Sequence, residues 1–85
     1  MSFNVNYSKQ AKSFLKSSDK LTLKRLLKKV EVLAKEPINR DTKKIEGSKG
    51  LFRVRVGSYR ILYEIDYSEQ NIGIVKIDKR DEVYR

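Results

Sequence analysis

The run Leu51-Phe-Arg-Val-Arg-Val-Gly-Ser-Tyr-Arg-Ile-Leu-Tyr-Glu-Ile65 constrains the fold of this chain more than any other. Phe52, Val54 and Val56 alternate with Arg53 and Arg55, the period of two that marks a strand with one buried face. Gly57-Ser58 suits a two-residue type II′ turn, in which glycine takes the positive φ of the first central position. Tyr59, Ile61, Tyr63 and Ile65 carry the alternation back along a second strand. Such a turn sets Val56 opposite Tyr59 and Arg55 opposite Arg60. Two cations directly opposed repel, and folding alone does not favour that pairing. The hairpin therefore predicts an arginine face that receives an anion, with a phosphate chain as the obvious candidate. Glu64 is the nearest carboxylate in sequence that could instead neutralise a merely solvated face.

The rest of the chain reads as support for that hairpin. Phe3 to Tyr7 alternates and predicts a first short strand. Ser8 suits an N-cap, and Ala11, Phe14 and Leu15 recur at helical spacing to about Lys16. Ser17-Ser18-Asp19 breaks the pattern, and Ser18 or Asp19 can cap a second helix. Its apolar stripe is Leu23, Leu26, Leu27, Val30, Leu33 and Ala34. Pro37 ends it, because the residue before a proline avoids the helical region. Ile38 to Gly50 is polar and predicts a loop with an extended piece near Lys44-Ile45. A turn at Tyr67 to Asn71 leads to a strand over Ile72 to Asp78. Its apolar residues Ile72, Ile74, Val75 and Ile77 predict burial from both sides. Lys79 to Arg85 reads as a charged tail.

With 85 residues, the chain makes one small domain over 1–85. The order is β-α-α-β-β-β, an α+β layer: a small antiparallel sheet of three or four strands with a two-helix hairpin on one face. The helices should cover Phe52, Val54, Ile61 and Tyr63 and leave the arginines open. Tyr59 and Tyr63 share the apolar parity and are expected in the core.

A formal net charge of +9 points to a polyanionic partner: nucleic acid, a ribosome or an acidic protein, ahead of an anionic membrane. No apolar run approaches the roughly 18 residues of a membrane span. The start lacks the basic and apolar segments of a signal peptide, so a cytoplasmic location is expected. The chain has no histidine and no cysteine. That removes the commonest general base, the thiol nucleophile and most zinc sites. No cofactor and no metal are expected. Asp78, Asp81 and Glu82 are close in sequence but read as a solvated tail. Arg, Lys and Tyr remain, a set that binds phosphates, stabilises a pentavalent phosphorane and stacks on bases. Lys20, Lys24, Arg25, Lys28 and Lys29 form a basic helix face, either solvated or touching ribosomal RNA through many weak phosphate contacts.

Arg53-Val-Arg-Val-Gly-Ser-Tyr-Arg-Ile-Leu-Tyr-Glu-Ile65, followed by Lys79-Arg-Asp-Glu-Val-Tyr-Arg85, resembles the RelE/ParE superfamily of toxin–antitoxin toxins. The resemblance covers essentially the whole chain, including the helical hairpin and its terminating proline. It implies a fold similar to small microbial ribonucleases and, for the RelE branch, cleavage of mRNA in the ribosomal A site. By position it implies catalytic roles for Arg53, Arg55, Arg60, Arg80 and Tyr84. Family members often carry lysine at the first two positions. Arginine in effect cannot lose a proton, so the base role fits neither Arg53 nor Arg55. The implied division has Arg53, Arg55 and Arg60 on the phosphate and Arg80 near the leaving 5′-oxygen. Tyr84 stacks on a base, acts as base if neighbouring cations lower its phenol pKa, or simply pins the tail. The implied partner is an acidic, partly disordered RelB-like antitoxin. A ParE-like inhibitor of DNA gyrase, without nuclease activity, and an inactive member that only binds antitoxin or RNA remain open alternatives.

Overall fold

The computed structural model of the chain describes residues 2–79; the predicted site residues Arg80 and Tyr84, and the tail acids Asp81 and Glu82, lie outside them. The chain order is β1 (Asn4–Tyr7), α1 (Lys9–Ser17), α2 (Lys20–Lys35), β2 (Lys43–Lys44), β3 (Leu51–Val56), β4 (Tyr59–Asp66) and β5 (Asn71–Lys79). The α+β class is as expected. The sheet is larger and mixed: five strands in the order β1-β5-β4-β3-β2, with β1 parallel to β5 and the other pairs antiparallel. The long passage through two helices and a hairpin lets β1 take the outer edge of β5. The piece near Lys44-Ile45 is β2, too short to show a period in sequence.

The helix boundaries follow the caps. Ser8 has extended backbone, and its Oγ accepts from the Ala11 N–H at 3.1 Å. Asp19 is the N-cap residue of α2, and Glu36, just before Pro37, is the C-cap. Leu26, Val30 and Leu33 of the predicted stripe are buried. Leu27, predicted with them, stands 39% exposed at the margin of the helix's buried face.

The hairpin has the predicted register, with Val56 opposite Tyr59 and Arg55 opposite Arg60. Gly57 has φ +59° and Ser58 does not share a positive φ, as a type II′ turn requires. Val54, Ile61, Tyr63, Ile72, Ile74 and Ile77 meet Ala11 and the three α2 residues in one core. Tyr59 is half-buried, its ring edge-on to Phe14.

β5 departs from expectation in one place that matters for the site. Leu62 pairs with Lys76 but Tyr63 pairs with Ile74, so Val75 is an extra residue in a β-bulge. Val75 is 37% exposed, and the apolar run is buried on one face rather than two. The bulge resets the parity of the strand. Ile74 and Ile77 both reach the core, and Lys76 and Asp78 are turned to the open face.

Candidate functional site

Cross-strand partners share a face, so the registers map the open side of the sheet. One row runs Lys43, Arg53, Leu62, Lys76, and the next runs Arg55, Arg60, Asp78. The three predicted arginines are together on this face, in three different states.

Arg60 is engaged. Its Nε donates to Asp78 Oδ1 at 3.1 Å and its Nη2 to Asp78 Oδ2 at 3.0 Å, a two-pronged pair with side-chain exposures of 14% and 18%. Lys76 Nζ approaches the same carboxylate at 3.9 Å. Two expectations are corrected here. Asp78, the end of the predicted strand and part of β5, is paired rather than solvated, and among the described residues it, not Glu64, is the carboxylate of the arginine face. The repulsion between Arg55 and Arg60 is therefore largely quenched within the chain. Without the Val75 bulge, Ile77 would stand opposite Arg60, so the pairing was hidden from sequence.

Arg53 is half-buried, and its buried Nε has no hydrogen-bond partner among the described residues. A buried donor left unpaired costs about 1–3 kcal/mol. Arg55 is exposed. Neither has a carboxylate within salt-bridge distance among the described residues. Both line a cavity of about 210 Å³ with Arg40, Asp41 and Lys43.

The far wall of that cavity is held by a buried phenol. Tyr63 Oη donates to the Pro37 carbonyl at 2.6 Å and lies 2.9 Å from Thr42 Oγ1. Burial raises the Tyr63 pKa above the ordinary 10.0, only partly offset by the Thr42 hydrogen bond. Asn39 ties the same loop: Oδ1 accepts from the Asp41 N–H at 2.9 Å, and Nδ2 donates to the Glu36 carbonyl at 2.9 Å. Asp41 pairs with Lys29 at 3.2 Å. The one carboxylate lining the cavity among the described residues is thus committed to a lysine of α2. Arg40 and Lys43 were not picked out in sequence; the only cue was the basic character of Arg40-Asp-Thr-Lys-Lys44.

The helix cations do not join the arginines. α2 packs on the apolar face of the sheet. Lys20, Lys24 and Lys28 are exposed on it, away from the core residues Leu26, Val30 and Leu33. Lys29 holds Asp41. Arg25 lies over the hairpin turn, where a Cβ at Gly57 would meet its Nη2 at 3.1 Å. Among the described residues, no group of three or more acids could hold a metal ion.

Residues 5–84 match the sequence profile of the ParE toxin of the type II toxin–antitoxin system parDE. The toxin RelE1 of Methanocaldococcus jannaschii is 33% identical over 88 residues, spanning 100% of this chain and 98% of that protein. Among solved structures, the chain is similar to the toxin of the RelE–RelB complex from Pyrococcus horikoshii, with a TM-score of 0.82 and 33% identity over 94% of this chain and 97% of that one. The isolated E. coli RelE toxin gives a TM-score of 0.81 at 17% identity over 96% and 90%, a likeness of fold alone.

Proposed function

The chain belongs to the RelE/ParE superfamily of toxins from type II toxin–antitoxin systems, and from that premise we propose that it is a ribosome-dependent endoribonuclease that cuts mRNA and stops translation. The observation that carries the reading is the β2–β3 side of the open face. Arg53 and Arg55 stand there beside Lys43 and Arg40, with no carboxylate partner among the described residues. A substrate phosphate supplies the missing negative charge.

In the proposed reaction the RNA 2′-oxygen attacks the adjacent phosphorus and loses its proton to water. The bond from phosphorus to the 5′-oxygen breaks, and that oxygen takes up a proton. The products are a 2′,3′-cyclic phosphate and a free 5′-hydroxyl. Arg55 stabilises the charge that grows on the equatorial oxygens, the role of a preorganised donor in an oxyanion site, and Arg53 stands two residues before it on the same face of β3. Asp78 occupies Nε and Nη2 of Arg60, which leaves Nη1 for the phosphate. Arg80 at the leaving oxygen and Tyr84 against a base complete the reading; both roles come from the family motif. Arginine cannot serve as base, so much of the rate comes from the ribosome holding the RNA in line for attack.

The relative from Pyrococcus horikoshii is a complex with RelB. We assign this chain a RelB-like antitoxin, acidic to match a toxin of net charge +9. The matching profile is that of ParE, which gives the gyrase reading its support.

The test is a cell-free translation reaction dosed with the purified protein, with cut sites mapped on a defined mRNA by primer extension. Cuts confined to translated message are expected. Intact message with gyrase-dependent DNA breaks would replace the nuclease with the ParE-like function. Neither effect would leave a member that only binds its antitoxin or RNA.

A further inference from the structure

Arg40 and Lys43 belong to no motif of the hairpin or the tail, yet the fold places them against Arg53. Lys43 is its direct partner across β2 and β3, and Arg40 closes the same cavity of about 210 Å³. Three observations make this a built site rather than a solvated patch. The Nε of Arg53 is buried and unpartnered among the described residues, a charged donor awaiting an acceptor. Among the described residues, the only acid lining the cavity is Asp41, which is held by Lys29 at 3.2 Å. The loop that carries Arg40 and leads into Lys43 is fixed by the Tyr63 hydroxyl, by Thr42 and by Asn39, so the backbone beneath these cations needs little ordering when a ligand arrives.

We propose that Arg40, Lys43 and Arg53 form a second phosphate subsite, which holds the nucleotide phosphate adjacent to the one undergoing cleavage at Arg55. The inference rests on the nuclease reading for the identity of its ligand, a phosphodiester of single-stranded RNA. Arg53 and Arg55 are two residues apart on β3, about 6.6 Å along the strand, on the order of one nucleotide step of an extended chain. At that spacing two consecutive phosphates give Arg53 and Arg55 one phosphate each. The subsite binds ground state and transition state alike. Its loss raises the concentration needed for half-saturation and leaves the maximal rate nearly unchanged.

Two measurements test this, one independent of catalysis. In the first, inorganic phosphate is titrated into the isotopically labelled full chain and the arginine Nε–H resonances are followed by NMR. The Arg53 resonance should shift saturably, and Lys43→Ala should weaken that binding about tenfold, the scale of one charge-assisted hydrogen bond. Lys43→Arg should restore it. Lys44→Ala, next along β2 but partnered with Phe52 on the other face, should titrate like the parent. In the second, single-turnover cleavage on programmed ribosomes should show a similar rise in half-saturation for Lys43→Ala and Arg40→Ala. An Arg53 resonance that does not move, or that titrates identically in Lys43→Ala, overturns the subsite. If ribosomes are not cut at all but the phosphate titration behaves as described, the subsite stands as an anion site and the nuclease reading falls. Cleavage by Lys43→Ala with an unchanged half-saturation overturns the subsite and leaves the nuclease reading intact.

Discussion

The two sides of one sheet face treat the same kind of cation in opposite ways. On the β4–β5 side, Arg60 closes on Asp78 with two hydrogen bonds, and Lys76 sits near the same carboxylate. On the β2–β3 side, Arg53, Arg55, Lys43 and Arg40 gather around a cavity whose only acid among the described residues is drawn away by Lys29. The first arrangement is complete within the chain. The second has no free counter-charge among the described residues. An arginine on a sheet face is therefore not by itself a sign of function; what separates the two sides is whether the fold supplies the counter-charge.

The widest test removes one cation from the incomplete side. Arg55→Ala should slow cleavage on ribosomes by a factor on the order of 100 or more, the scale for losing one oxyanion donor. Its side chain is exposed and has no ion-pair partner among the described residues, so stability should move by no more than about 0.5 kcal/mol. Parent-like cleavage by both Arg55→Ala and Arg53→Ala would show that this side is not the active site.

Arg60→Ala should behave differently. It leaves Asp78, 18% exposed, without its partner. A half-buried carboxylate stripped of two hydrogen bonds should cost about 1–3 kcal/mol in urea unfolding. The simple picture of two repelling arginines predicts the reverse, a fold unchanged or slightly stabilised by the loss of either. A double-mutant cycle with Asp78→Ala separates the two accounts, because the pair should couple by about 0.5–3 kcal/mol. A cycle with no coupling would mean that the β4–β5 side is as open as its neighbour.

What was legible in the sequence follows the same division. The hairpin could be read because period-two alternation and a glycine at the turn leave one register that buries the apolar set. Ser8, Asp19 and Pro37 bounded the helices. Val75 gave no warning, since a bulge residue in an apolar run looks like any other strand residue. It alone decides that Asp78, not Ile77, faces Arg60. Lys43 was equally hidden, because a two-residue strand has no period. Its partnership with Arg53 depends on a loop tied by Tyr63, a contact between residues 26 positions apart in sequence, counted from Pro37 to Tyr63. Short-range patterns found the elements. Long-range register decided which cations stand free.

The smallest predicted effect concerns that loop. Tyr63→Phe keeps the ring that fills the core and deletes the hydroxyl that reaches Pro37 and Thr42. The loss should be about 1 kcal/mol, the net worth of a hydrogen bond of this kind. The pH dependence identifies the group. Burial raises the folded-state pKa of Tyr63 above 10.0, so the folded protein holds this proton more tightly than the unfolded chain does. The stabilisation is then fully present below pH 10 and is lost as pH rises through the folded-state pKa. In urea titrations carried from pH 8 upward, the parent should lose stability above pH 10, and Tyr63→Phe should lose less. Tyr7, also raised by burial, adds to the slope in both proteins. The β2–β3 side depends on this hydroxyl for its rigidity, and the β4–β5 side does not. On the acid side of neutrality Tyr63→Phe should therefore weaken phosphate binding at Arg53 modestly and leave the Arg60–Asp78 coupling unchanged. Equal changes on both sides would mean that Tyr63 serves the core alone and that the loop needs no anchor.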